Sequence, residues 1–178
     1  MGAMKRLVLA IGAWLALGAL AAPPAYPENA AGLGYAHPAR GALFLTAGLP
    51  FAPLGLDAGG GLEAAVGGGV RGNLDLGLLV FPGLTLGNAY AEVGGYLRLP
   101  FAYASPGGLG LGVALGPRAS LEVEAGLPLT LSGSLGIGYG PGFFLDYAAG
   151  LRAYLEPVAL DLGYDRTLGL YAGLLYLW

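Results

Sequence analysis

Along residues 39 to 178 the apolar residues recur at every second position, in short runs separated by clusters of Gly and Pro. The stretch Leu129 to Tyr139 displays the pattern plainly: Leu129, Leu131, Gly133 and Leu135 alternate with Thr130, Ser132 and Ser134. A period of two places successive side chains on opposite faces of a strand, whereas a helical stripe repeats every 3.6 residues. The alternation runs through nine segments: Leu54 to Val66, Val70 to Val80, Ala89 to Leu99, Leu109 to Leu115, Ala119 to Ala125, Leu129 to Tyr139, Phe143 to Leu155, Val158 to Tyr164 and Leu168 to Trp178. Even the uncharged stretch Ala125 to Leu145 is interrupted by Pro128, Pro141 and several glycines, so it reads as strands and turns and not as a membrane helix.

Within these segments the charged residues are Asp57, Glu63, Arg71, Asp75, Glu92, Arg98, Glu122, Glu124, Asp146, Arg152 and Asp161, and all eleven take the face opposite the apolar set. A soluble sandwich also alternates, hiding its apolar face and turning charge to water, so alternation alone fits both environments. Two features separate them. The polar face is mostly Gly, Ala, Ser, Thr and Tyr, too small and too sparsely charged for a typical solvent surface. The apolar face carries no charge at all, as a face meeting hydrocarbon must, because an Arg or Lys at the bilayer midplane costs roughly 2–4 kcal/mol. Hydrocarbon offers the backbone no hydrogen-bond partner, so strands can cross it only as a closed barrel. The predicted fold is therefore all-β, a single antiparallel up-and-down transmembrane β-barrel with the charged face lining its lumen.

At the N-terminus Lys5 and Arg6 precede the apolar run Leu7 to Ala22, which ends in Ala19-Leu20-Ala21 ahead of Pro23-Pro24. That order predicts a secretory signal peptide over residues 1–21, an irregular Pro-rich leader over 22–38 and the barrel over 39–178. The run is shorter than the ~20 residues of a spanning helix. At the other end Leu168, Leu170, Ala172, Leu174, Tyr176 and Trp178 alternate up to the final residue. This last strand resembles the terminal signature of bacterial outer-membrane β-barrels, in which an aromatic last residue closes an amphipathic strand. Trp stands where Phe is most common, and the long extracellular loops usual in that class are missing. The resemblance implies outer-membrane lipid and the barrel-assembly machinery as partners, with Trp178, Tyr176 and Leu174 as the assembly signal.

A first strand over about Arg40 to Leu49 brings the expected number to ten, an even count, with eight and twelve as alternatives. A periplasmic C-terminus, as the resemblance implies, places turns at Gly67 to Gly69, Ser105 to Gly108, Gly126 to Pro128 and Glu156-Pro157 on that side. Pro50 to Pro53, Pro82 to Asn88, Gly116 to Arg118, Gly140 to Gly142 and Asp165 to Thr167 then face outward. A two-residue turn at Glu156-Pro157 sets Leu155 opposite Val158, and hence Arg152 opposite Asp161 with Cβ atoms about 4.5–5.5 Å apart. A three-residue loop over Asp165 to Thr167 brings Tyr171 to the same level, predicting an inward cluster of Arg152, Asp161 and Tyr171.

Composition narrows the function. With 35 Gly and 13 Pro in 178 residues the chain would pass for low complexity, but 56% hydrophobic and only 11% charged residues exclude simple disorder. A net charge of -3 and no basic run beyond Arg6 leave no footprint for nucleic acid. The absence of Cys removes disulfides, thiolate metal sites and cysteine nucleophiles. His37, the one histidine, has no second His or Cys to complete a metal site or a relay. There is no G-x-S-x-G elbow, and the runs Gly59 to Gly61 and Gly67 to Gly69 lack the Lys-Ser/Thr of a phosphate loop. Glu122 and Glu124 share one strand face and read as lumen lining rather than as an acid–base pair. Neither a cofactor nor enzymatic activity is expected. The expected function is a structural or envelope role for an outer-membrane barrel whose lumen is filled by its own side chains. A narrow, weakly cation-selective channel is the alternative, since the inward positions above carry eight acids against three Arg. A secreted soluble barrel holding a hydrophobic ligand fits less well, because its apolar face would have to turn inward. Oligomeric state is not legible.

Overall fold

Gly and Pro punctuation divides the chain into strands β1 (Ala30–Ala36), β2 (Arg40–Phe51), β3 (Leu56–Val66), β4 (Val70–Leu86), β5 (Ala89–Ala104), β6 (Gly108–Leu111), β7 (Val113–Glu124), β8 (Pro128–Tyr139), β9 (Phe143–Leu155), β10 (Val158–Asp165) and β11 (Gly169–Leu177). The structure, a computed structural model, describes residues 29–37, 40–51 and 56–178; the predicted signal peptide lies outside the described residues. Strands adjacent in sequence pair antiparallel, and β1 pairs with β11, from Ala30↔Leu177 to Ala36↔Tyr171, so the sheet closes on itself. Segments β6 and β7 share one register against β5, seen in Phe101↔Leu111 and Arg98↔Ala114, and together form one barrel strand. The gap between them falls opposite Pro100, which has no N–H to give; Gly112 N–H still donates to the Pro100 carbonyl at 2.9 Å. The result is a closed ten-stranded antiparallel barrel.

The number ten is reached through two departures that cancel. The segment expected to be an irregular leader contains β1, whose inward positions Ala30, Gly32, Gly34 and Ala36 are all small, which mutes the alternation. Residues 108–124, expected to turn at Gly116 to Arg118, instead run straight through. Pro117 stays in line opposite Gly95, and pairing with β8 resumes unshifted at Arg118↔Ser134. Gly116 permits this because a Cβ there would collide with the Leu135 carbonyl oxygen.

Removing that turn reverses the sense of every strand before it. Glu156-Pro157, residues 125–127, Asn88 and the chain end Trp178 share one end, here the terminal end: Glu124 N–H donates to Asn88 O at 3.1 Å and Trp178 N–H to Asn29 O at 3.2 Å. The turns at Gly67 to Gly69 and Ser105 to Gly108, expected at this end, lie at the opposite, distal end with those at 140–142 and 166–168; Pro82 to Asn88 lies at the terminal end, not the distal one.

Following paired positions once round the barrel, from Leu33 through Leu43, Ala64, Gly72, Phe101 and Leu111 and on along the registers of β8 to β11, returns to the β1 line displaced by twelve residues. With a rise of about 3.3 Å per residue and about 4.8 Å between strands, this stagger over ten strands tilts them by about 40° and gives a backbone radius of about 10 Å. Side chains reaching in from both walls can fill such a bore.

Candidate functional site

Inward positions divide the bore into two unlike halves. Along β1–β3, β10 and β11 they are mostly small or apolar, Glu63, Asp161 and Asp165 excepted, and Ala30, Ala36, Ala42, Phe44, Ala65, Ala159, Leu168, Tyr171 and Leu175 form one buried cluster. Along β4–β9 they are polar, and the side chain at their centre is Arg98, with no exposed surface.

Arg98 on β5 lies directly across from Asp75 on β4 and grips it with two hydrogen bonds, Nε to Oδ1 at 3.0 Å and Nη2 to Oδ2 at 3.1 Å. Its Nη1 crosses the bore to Asp165 Oδ2 at 2.7 Å on β10 and Asp146 Oδ2 at 3.2 Å on β9. The Tyr96 hydroxyl donates to the same Asp146 oxygen at 2.7 Å, and Asn73 Nδ2 donates to Asp165 Oδ1 at 3.0 Å. Arg118 on β7 stands 3.4 Å from Asp75 Oδ1, and both it and Arg98 lie 5.2 Å from the Tyr96 ring centroid. Each acid here is buried and could not be held charged in so enclosed a place without these partners. Gly136 makes room for the Tyr96 hydroxyl, which occupies the space a Cβ would need.

Nearer the terminal end Arg152 Nη2 meets Asp161 Oδ2 at 2.9 Å, in the expected register Asp161↔Arg152. Tyr171 does not join them in the expected register. Asp165 extends β10, so the ladder runs Gly163↔Tyr171 and Asp165↔Gly169, and the Tyr171 ring packs on Phe44 with centroids 5.0 Å apart. The cause is a side-chain turn: Asp165 Oδ1 accepts from Thr167 N–H at 2.7 Å and Leu168 N–H at 3.0 Å. Leu168, expected to face outward, is thereby folded into the bore and fully buried. At the distal mouth Arg71 reaches from β4 to donate to His37 O at 2.9 Å and Leu168 O at 2.6 Å, a bar across that opening.

The described residues leave the terminal end hollow. A cavity of about 420 Å³ there is lined by Thr85, Tyr90, Glu122, Thr130, Tyr154 and Glu156, among others. Thus Glu63, Asp75, Glu92, Arg98, Asp146, Arg152, Asp161 and Tyr171 are buried in the interior, Arg71 is half-buried at the distal mouth, and Glu122 and Glu124 are exposed at the terminal mouth. Asp57 belongs to β3, but its side chain lies outside the described residues. Leu174, Tyr176 and Trp178 point outward and are exposed.

Sequence reasoning missed Asn73, Arg118 and Asp165. Asn73 shares inward parity with Arg71 and Asp75 but carries no charge to mark it; the other two were assigned to turns. Among the described residues no group of three His, Asp or Glu converges as metal ligands. Comparison with protein-family models, with curated proteins and with solved structures returned no match.

Proposed function

We propose that the protein is an integral outer-membrane β-barrel with a structural role in the envelope, its bore closed to through-flow by the Arg98 ion-pair knot. The observation that carries this reading is the inversion of polarity. Among the described residues large apolar side chains such as Leu33, Leu76, Leu97, Ile137, Leu160 and Leu174 are exposed on the outer face, while Arg98, Asp146 and Asp165 are buried at the centre. Water-soluble monomers rarely expose contiguous apolar area beyond a few hundred Å², and an apolar outer face suits hydrocarbon. Along β9, the twelve steps from Phe143 to Leu155 at about 40° tilt rise about 30 Å, the thickness of a bilayer core. Exposed Tyr103, Tyr139, Phe143 and Tyr164 stand toward the distal end, and Tyr176 and Trp178 at the terminal end, where rings favour the headgroup layer. The predicted signal peptide and the aromatic C-terminal strand support export to the outer membrane.

Fractionation of expressing cells tests the placement. The protein should sediment with outer membranes and migrate differently on gels before and after boiling; recovery from the soluble periplasm without detergent would sink the proposal. In planar bilayers the purified protein should give no steady conductance. Discrete cation-selective steps would replace the structural role with a channel.

A further inference from the structure

The cavity at the terminal end continues inward along a ladder of polar rungs. Facing pairs on β7 and β8 run Glu122↔Thr130, Ser120↔Ser132 and Arg118↔Ser134, all with inward side chains, and Glu92 on β5 joins the middle rung by accepting from Ser120 Oγ at 3.3 Å. The ladder stops at the Arg98 knot. At its inner end several buried polar atoms find no hydrogen-bond partner among the described residues: Arg118 Nε, Ser134 Oγ and Asp146 Oδ1. Arg118 is 4% and Ser134 8% exposed. Leaving such groups bare costs about 1–3 kcal/mol each, and more for charged ones. The unpaired set holds donors and an acceptor together, which suits water and not a dry packed core or a bound anion.

We propose that this wall of the barrel is a blind half-pore, entered from the terminal end, that admits water and small monovalent cations as far as Arg118 and is stopped there by the knot. Glu122 and Glu156 at the mouth and Glu92 along the wall set its preference for cations. The apolar patch of the other wall, built from Ala36, Ala42, Ala65 and Phe44, presents only hydrocarbon side chains and stays dry. The half-pore belongs to the interior alone, so it stands whether or not the outer face meets lipid.

The chain contains no cysteine, which allows single thiols to be placed at will. Thr130→Cys, Ser132→Cys and Ser134→Cys sample the ladder from mouth to blind end; Ala42→Cys and Ala65→Cys sample the dry wall. Each variant, folded in detergent and checked by its migration before and after boiling, is exposed to silver ion, a thiol-reactive monocation. Thiol remaining is then titrated after unfolding. The three ladder positions should be consumed at least tenfold faster than the two dry-wall positions. Ser132→Cys and Ser134→Cys reacting as slowly as Ala65→Cys would overturn the half-pore and reduce it to a surface cavity, and equal rates at all five positions would overturn the division of the bore.

Discussion

Replacing Arg98 by Met keeps an unbranched stem and removes the guanidinium with its charge. Four hydrogen bonds to Asp75, Asp146 and Asp165 vanish together, and three carboxylates lose their common counter-charge. Among the described residues Asp75 alone of the three keeps a second cation within an ion-pair distance, Arg118 at 3.4 Å. Removing one partner of a buried pair costs about 3–5 kcal/mol, because the remaining charge stays desolvated. With three acids stranded, Arg98→Met should lie at or above the top of that range, a large share of a total stability of about 5–15 kcal/mol. At a denaturant slope of about 2 kcal/mol per molar the urea midpoint should fall by about 2.5 M or more. The assay is reversible urea unfolding in vesicles or detergent, read by tryptophan fluorescence and gel migration. Arg152→Met is the internal comparison, since it strands Asp161 and should cost less; adding Asp161→Leu should recover most of that loss. An Arg98→Met midpoint within about 0.5 M of the parent, or above that of Arg152→Met, would refute the knot as the chief tie across the bore.

Two further substitutions probe the wall. Leu76→Arg puts a cation on the exposed apolar face and should reduce folding stability in vesicles by about 2–4 kcal/mol, while Glu156→Arg at the exposed terminal turn should leave it unchanged; equal effects would contradict the proposed lipid band. Gly136→Ala drives a methyl against the Leu115 carbonyl and the Tyr96 hydroxyl, and should cost about 1–3 kcal/mol in the same unfolding assay. Tyr96→Phe, which removes only the hydroxyl bond to Asp146, should cost about 1–2 kcal/mol and no more than Gly136→Ala.

Most of this barrel is written in alternation, and its failures have local causes. The outward sets of β8, β10 and the first part of β4, as far as Leu78, are legible because Leu, Ile and Tyr alternate with small or polar residues. Beyond Leu78 the run Leu79-Val80-Phe81 breaks the alternation where the pairing with β5 shifts register. Strand β1 was hidden because prolines flank it and its inward residues are only Ala and Gly. Gly116-Pro117 imitates a turn, yet a proline can stay in a strand if its missing N–H loses only one rung, here on the β8 side. The Arg152–Asp161 pair was legible because a two-residue turn fixes the register beside it. The Arg98 knot was not, because its partners on β9 and β10 come together only when the sheet has closed, and residue spacing says nothing about which walls face each other across a bore. Leu168 went astray through a single side chain, Asp165, whose carboxylate gathers two amides and redirects the chain.

The seam between β1 and β11 joins the first and last described strands, Ala30 to Leu177. Until that zipper forms, the nascent sheet has two open edges, and each is a row of unpaired amides able to recruit any extended chain nearby. No internal strand can substitute for the missing partner, so synthesis must reach the last strand before the molecule can stop being adhesive. A chain truncated within its final ten residues would therefore be more than a slightly shorter barrel: it would be a sheet with a permanently exposed margin, prone to fuse with its siblings or to be captured by whatever holds unfinished chains in solution.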